Sequence, residues 1–420
     1  MASPRSTPTS TGPSTRSRSR SSQGAGEAHA AGVFPIPQTL LDHHRSTLVP
    51  LLKQWRAQDR VPPVLLLTGP SGIGKRESAW WLSQVLLCDM SGFGGETSRA
   101  HGEPAEEALN LGFGFEPAPA PQAESHQREP LSVSELPCGT CPACHKAISG
   151  NWIDFTEIAP QGDDEHSGSL KIEQFRKLKA TQGFGAYNGN YRITLIRDAD
   201  RLTPQAANSL LKILEEPPAG WIFLLTASDP SLLLPTLVSR CQKLRLSPLS
   251  RPALVQLLHD SRTPSDRLET CADLAQGSYR KALQMAENDA WDKRAVLFRF
   301  LEDPAAELTA LTDWASSEDR NFRLLMDQFE QLLLDLVSFE GDPEKFIWKN
   351  KDGSRTLSRH ARTMLTTTGS PDIARAFWLE RSERLFRMRQ ESLAPLNRKI
   401  LAQDFLSGWV APPAQERPRA

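Results

Sequence analysis

Apolar residues recur at helical spacing through LVPLLKQW, in a stretch that begins near Leu40. The apolar run Val64–Leu67 is too short for a helix and reads as a buried strand ending at Gly69. Helical spacing resumes in ESAWWLSQVLL as far as Cys88. Further on, KIEQFRKLKA predicts a helix, YRITLIRDAD a strand, and TPQAANSLLKILEE a helix stopped by Pro217 and Pro218. WIFLLTAS predicts one more strand. Strands alternating with helices over 64–246 imply an α/β domain with a mostly parallel sheet. Beyond Pro248 no strand pattern persists. ALVQLLHD, LETCADLAQG and YRKALQMAE predict a small helical domain, and FRLLMDQFEQLLLDLV and IARAFWLERSERLFRMR predict longer helices. Neither of these sustains three heptads, so their apolar stripes read as bundle core rather than coiled coil.

Two stretches have nothing to bury. Residues 1–32 are Ser, Thr, Pro, Gly and Arg, and read as a disordered tail. Their arginines sit in SRSRSR without an apolar face, which favours a solvated tail over an organelle transit peptide. Residues 89–137 are rich in Gly, Pro, Ala and Glu and read as a flexible surface insertion. The expected organisation is therefore a tail (1–32), an α/β domain (33–246) and two helical domains (247–300 and 301–412).

Charge and cysteine content narrow the setting. Lys plus Arg number 49 against 50 Asp plus Glu, so any contact with nucleic acid is local rather than global. The six cysteines are unevenly spaced, three within CGTCPAC, which suits a metal site in a reducing cytoplasm better than a disulfide framework. No apolar run approaches the roughly 20 residues that span a bilayer, so no membrane association is expected.

Gly69, Gly74 and Lys75 stand at G-x-x-x-x-G-K spacing between the first strand and its helix, the context a phosphate-binding loop requires. Gly72 and Gly74 let backbone N–H groups converge on phosphate oxygens at a helix N-terminus, and Lys75 adds a positive charge. The next position, where such a loop needs a Ser or Thr hydroxyl for Mg²⁺, carries Arg76. A second strand should supply an acidic pair, and ITLIRDADR delivers Asp198 followed by Ala199, where the water-orienting carboxylate would stand. Loss of both metal ligand and base argues against turnover, while binding of ATP or ADP through Lys75 and the loop amides stays open. Cys138, Cys141 and Cys144, at C-x2-C-x2-C spacing, suit a structural tetrahedral Zn²⁺ with one further ligand. Cys88 is the choice for that ligand and His145 its rival. Cys241 and Cys271 read as buried small residues.

These features, with ANSLLKILEEPP (Ala207–Pro218), SRC (Ser239–Cys241) and GSYRKAL (Gly277–Leu283), resemble the clamp-loader AAA+ proteins of bacterial DNA polymerase III. Within them the chain is most similar to the delta-prime family, because active motor subunits keep the hydroxyl and the Glu absent here. The resemblance covers roughly half the chain and is looser in the last helical region, through NRKILAQDFL near Asn397. It implies an AAA+ fold with an embedded zinc module, a helical lid at 247–300 and a helical oligomerisation collar at 301–412. It implies that Arg240 is an arginine finger acting on a neighbouring subunit, that Arg280 is the second-sensor arginine, and that the first-sensor position falls at Ala227. The implied partners are gamma/tau- and delta-type subunits in a hetero-oligomer that loads a sliding clamp on primed DNA. The alternatives are an active gamma/tau-like ATPase motor, or a zinc-bearing nucleotide sensor outside replication. Glu215 and Glu216 read as a helix end, not as an acid/base pair.

Overall fold

The computed structural model describes residues 36–93, 132, 135–162, 168–181, 185–187, 191–391 and 397–409. The Ser/Arg-rich tail and most of the 89–137 segment lie outside the described residues. The ends of that segment are described, and there Ser91, Phe93 and Leu136 are buried rather than exposed on a loop.

The α/β domain begins with α1 (Gln38–Ala57), β1 (Val64–Thr68), α2 (Lys75–Leu87), α3 (Pro142–Ile148), β2 (Phe155–Ile158) and α4 (Ile172–Ala180). It continues with β3 (Arg192–Ile196), α5 (Pro204–Glu215), β4 (Trp221–Ala227), α6 (Pro235–Val238) and β5 (Gln242–Arg245). Among the described residues the strands form one sheet in the order β2-β3-β4-β1-β5, with every neighbouring pair parallel. Side chains along β1 alternate between the two faces, as strand geometry requires. Leu65 and Leu67 join α1 and α2 on one side, while Val64 and Leu66 join α4 and α5 on the other. Both faces are covered, which is why the inner strands read as unbroken apolar runs. Two strands escape that signal. β5 (QKLR) is an edge strand with mostly exposed side chains, held by its backbone bonds to β1, and β2 (FTEI) is the opposite edge.

The lid follows as α7 (Arg251–Asp260), α8 (Ser265–Leu274) and α9 (Tyr279–Ala286). Ser250 and Ser278 cap α7 and α9 by accepting the Ala253 and Lys281 N–H groups. The lid core contains Leu40 of α1, so the first helix spans both domains. The remaining helices are α10 (Asn288–Glu302), α11 (Pro304–Ser317), α12 (Asp319–Ser338), α13 (Ser354–Thr368), α14 (Pro371–Glu391) and α15 (Arg398–Ser407). They share a separate core built on Phe300, Phe322, Phe329, Trp378 and Phe405. α10 places Leu297 and Phe300 in that core, while Trp291 near its start packs against the lid core. A parallel sheet with helices on both faces, followed by helical domains, is the architecture expected from the sequence.

His360 of α13 lies near the rings of Trp378 and Trp409, and its Nδ1 is 3.3 Å from the Leu301 carbonyl oxygen. Burial pushes its pKa from 6.5 down to about 4. Its folded-state value is depressed, so its contribution to stability is complete above the unfolded value and is lost as pH falls toward the folded one. Denaturant titrations should therefore show up to about 3 kcal/mol lost from this residue as pH falls from about 6.5 to about 4. His360→Phe should flatten the profile across that window.

Candidate functional site

A cleft of about 570 Å³ opens where the C-terminal ends of β1, β3 and β4 meet the starts of α2 and α9. Ligands of parallel α/β sheets bind at this edge. Its floor is the loop from Gly69 to Lys75. Gly72 and Gly74 have φ of 77° and 96°, a region that glycine enters without steric cost. The missing side chains also matter for closeness. A Cβ on Gly72 would stand 2.3 Å from Ser278 Oγ, and one on Gly74 would stand 2.5 Å from Leu40. The lid docks directly on this loop, with the Tyr279 N–H donating to the Gly72 carbonyl oxygen at 2.9 Å. Arg280, the next residue, lines the cleft. On the opposite side the His44 ring nitrogen Nε2 is 2.7 Å from the Ile73 carbonyl oxygen.

Lys75 opens α2 and is buried. Its Nζ donates to the carbonyl oxygens of Gly69 and Pro70, each at 2.8 Å, and to Ser228 Oγ at 3.0 Å. Burial pulls its pKa below the usual lysine value, while Asp198 and Asp200 act in the opposite direction. Asp198 sits in the left-handed region with φ of 47°, and its N–H donates to Thr226 Oγ1 at 3.0 Å. Ala199 turns into the core, fully buried. Asp200 then lines the cleft, where one of its oxygens accepts the N–H groups of Ser228 (2.9 Å) and Asp229 (3.0 Å). The end of β4 differs from its reading in the sequence. Ala227 is buried, but its neighbours Thr226 and Ser228 both line the cleft and are hydrogen-bonded there. Strand alternation carries the polar groups on either side of Ala227 to one face.

Arg76 is held by Glu157, the third residue of β2. Its Nε and Nη2 donate to Glu157 Oε1 and Oε2 at 2.8 and 3.1 Å, a two-pronged guanidinium–carboxylate pair. Trp80 Nε1 donates to the same carboxylate at 3.2 Å and Arg197 Nη1 at 3.4 Å. Mg²⁺ needs near-octahedral oxygen ligands at about 2.0–2.1 Å. The position that should provide its hydroxyl instead presents a guanidinium, with a second guanidinium on the shared carboxylate. The residues present do not fit Mg²⁺. Glu157 was not found by sequence reasoning, because nothing in its spacing links it to a partner 81 positions away.

Arg240 does not line this cleft among the described residues. It follows α6 and is partly exposed. Its Nη1 donates to the Thr236 carbonyl oxygen at 2.8 Å and its Nη2 to Glu215 Oε1 at 3.0 Å. Glu215, set aside in the sequence as a helix end, is therefore the ion-pair partner of Arg240.

The cysteine cluster lies behind α2. The Sγ atoms of Cys88, Cys138, Cys141 and Cys144 all lie within 4.8 Å of one another, and His145 is not in the group. Cys88–Cys141 and Cys138–Cys144 are each separated by 3.9 Å. Tetrahedral bonds of about 2.3 Å to one metal require sulfur atoms about 3.8 Å apart, so the four residues fit such an ion. A proton shared with Cys144 pushes the Cys88 thiol down to about 5 and the Cys144 thiol up. The Cys144 N–H and the Thr140 hydroxyl donate to Cys141 and Cys138 sulfur at 3.4 and 3.7 Å, as ligand thiolates commonly require. Cys241 and Cys271 stand apart from the group, each with its thiol pKa raised by burial.

A family model described as "DNA polymerase III, delta subunit" matches residues 123–250. The DNA polymerase III subunit delta' of Escherichia coli (strain K12) is 34% identical over 165 residues, covering 39% of this chain and 48% of the relative. Subunit delta' of Pseudomonas aeruginosa is 26% identical over 356 residues, covering 83% of this chain and 92% of the relative. Subunit tau of Escherichia coli is 30% identical over 161 residues, covering 37% of this chain and 24% of that protein. The chain thus spans about half the length of the first of these relatives and about a quarter of subunit tau. No helix among the described residues is long and apolar enough to cross a membrane.

If the four sulfurs hold a metal, the purified chain should carry one Zn²⁺, measured by elemental analysis. Cys88→Ser should lose most of that metal on dialysis and His145→Ala should keep it. Full stoichiometry in Cys88→Ser would remove Cys88 from the ligand set.

Proposed function

From its similarity to delta' subunits of bacterial DNA polymerase III, we propose that the chain is a delta-prime-type clamp-loader assembly subunit which does not itself hydrolyse ATP. In this reading it donates Arg240 to the ATP site of a neighbouring gamma/tau-type subunit and helps open a sliding clamp for loading on primed DNA. The observation that carries the first half is the Arg76–Glu157 pair at the place of the metal ligand. The burial of Ala199 where the water-orienting carboxylate belongs supports it. The second half is supported by the position of Arg240, outside its own chain's cleft and on the surface. A finger acting in trans must be reachable by another subunit. The collar of α10–α15 would join the chain to gamma/tau- and delta-type partners. Zn²⁺ at Cys88, Cys138, Cys141 and Cys144 would be structural, since four protein ligands leave no open position for chemistry. Such a complex acts in the cytoplasm.

The two halves have separate tests. The purified chain should show no steady-state ATP hydrolysis above background, and turnover that Lys75→Ala abolishes would instead make it an active motor. In the reconstituted complex, Arg240→Ala should leave assembly intact. Hydrolysis at the site it completes should fall by about 10³-fold or more, the usual worth of an arginine finger. Unchanged hydrolysis would mean that Arg240 is a surface arginine paired with Glu215 and nothing more.

A further inference from the structure

The misfit between this cleft and Mg²⁺ has a consequence for its ligand. In a working phosphate loop the metal bridges phosphate oxygens and neutralises their charge. Here fixed side chains supply positive charge in that region. Arg76 and Arg197 both line the cleft, and both lean on Glu157. The side chains of Arg76, Arg197 and Glu157 are 28%, 15% and 14% exposed, so the triad is largely withdrawn from solvent and its charges are weakly screened. Glu157 also accepts the Trp80 indole N–H, which fixes the carboxylate from a third direction. Lys75, Arg201 and Arg280 bring further positive charge to the same cleft, which Asp198 and Asp200 also line.

From this we infer that the cleft binds the phosphates of a nucleoside di- or triphosphate without a divalent cation, with the Arg76–Glu157–Arg197 triad in the place of the metal. Mg²⁺ arriving with a nucleotide would meet two guanidinium groups where an ordinary loop offers it a hydroxyl. The glycine geometry at Gly72 and Gly74 is that of a loop whose amides converge on phosphate. Lys75, now hydrogen-bonded to two loop carbonyl oxygens and Ser228, exchanges those contacts for phosphate oxygens. Glu157 is thereby a positioning residue, since it aims Arg76 and touches no ligand itself. The inference rests on reading the cleft as a nucleotide site without turnover and is independent of Arg240.

The test is equilibrium binding of methylanthraniloyl-ADP to the full-length purified chain, followed by fluorescence anisotropy in EDTA and again in excess Mg²⁺. Saturable binding of equal strength in both conditions, within about threefold, is expected, because less than about 0.7 kcal/mol should separate them. Lys75→Ala should abolish it. Arg76→Thr should weaken the EDTA-state affinity by about tenfold or more, equal to about 1.4 kcal/mol. Arg76→Lys, which keeps the charge, should retain metal-independent binding. The inference fails if the wild-type chain shows no saturable binding in EDTA at about 1 mM protein, near the weak end of specific affinities. Tightening of tenfold or more by Mg²⁺, or unchanged EDTA-state affinity in folded Arg76→Thr, would overturn it too. None of these outcomes bears on Arg240, whose role is read from hydrolysis in the assembled complex.

Discussion

The carboxylate of Glu157 ties α2, β2 and the end of β3 together beside the cleft. It receives Arg76 from the helix after the phosphate loop, Trp80 one turn further along, and Arg197 from the end of β3. Two guanidinium groups withdrawn from water need such a counter-charge, since an unpaired charge in that setting costs several kcal/mol. The same strand carries Phe155, which stacks on Trp152 at 4.7 Å, and Trp152 in turn meets Trp80 at 5.5 Å. Trp152 and Cys141 share a core with Trp80 and Leu65. The cysteine module thus braces an edge strand that sequence periodicity did not reveal. That strand in turn fixes the residue that replaces a metal ligand.

From the loop, contacts continue outward into both helical domains. The lid rests on Gly72 through Tyr279, and α9 reaches the collar through Lys281, whose Nζ is 3.5 Å from Asp327 Oδ1. Asp327 also accepts Arg389 of α14 at 2.6 Å. Lys351 pairs with Asp273 of the lid at 2.9 Å, and Gln276 donates to Gln331 of α12 at 3.3 Å. Below these contacts Arg294 is buried and tied to Asn350 and Asp352, with Asn350 held in turn by Asp335. Such polar links are directional, whereas apolar packing is not. They therefore set the angle between lid and collar more narrowly than the hydrophobic clusters alone.

Similarity and local geometry speak to different questions. Sequence similarity relates the chain to delta' and tau subunits of bacterial DNA polymerase III. Geometry shows what each departure does. Arg76 is not a loose cation in a degenerate loop but half of a two-pronged ion pair. Asp200, which no motif marked, caps the backbone at the end of β4 and brings a carboxylate to the cleft. Glu215, which looked like punctuation before two prolines, partners Arg240.

The elements that pack on two faces were legible in the chain itself. β1, β3 and β4 are apolar runs, and α5, α9 and α12 carry helical stripes, because burial selects residue type position by position. The phosphate loop and CGTCPAC were legible for a similar reason: backbone turns and metal ligands confine the chemistry to short, fixed spacings. The edge strands β2 and β5 were not, since backbone bonding to one neighbour makes little demand on side chains. Cys88, chosen from the sequence as the fourth ligand, brings its sulfur to the other three, and His145 is not in the group. Glu157 with Arg76, Ser228 with Lys75, and Glu215 with Arg240 were decided only in three dimensions. Each is a pairing between distant segments, and long-range partners leave no period in a sequence.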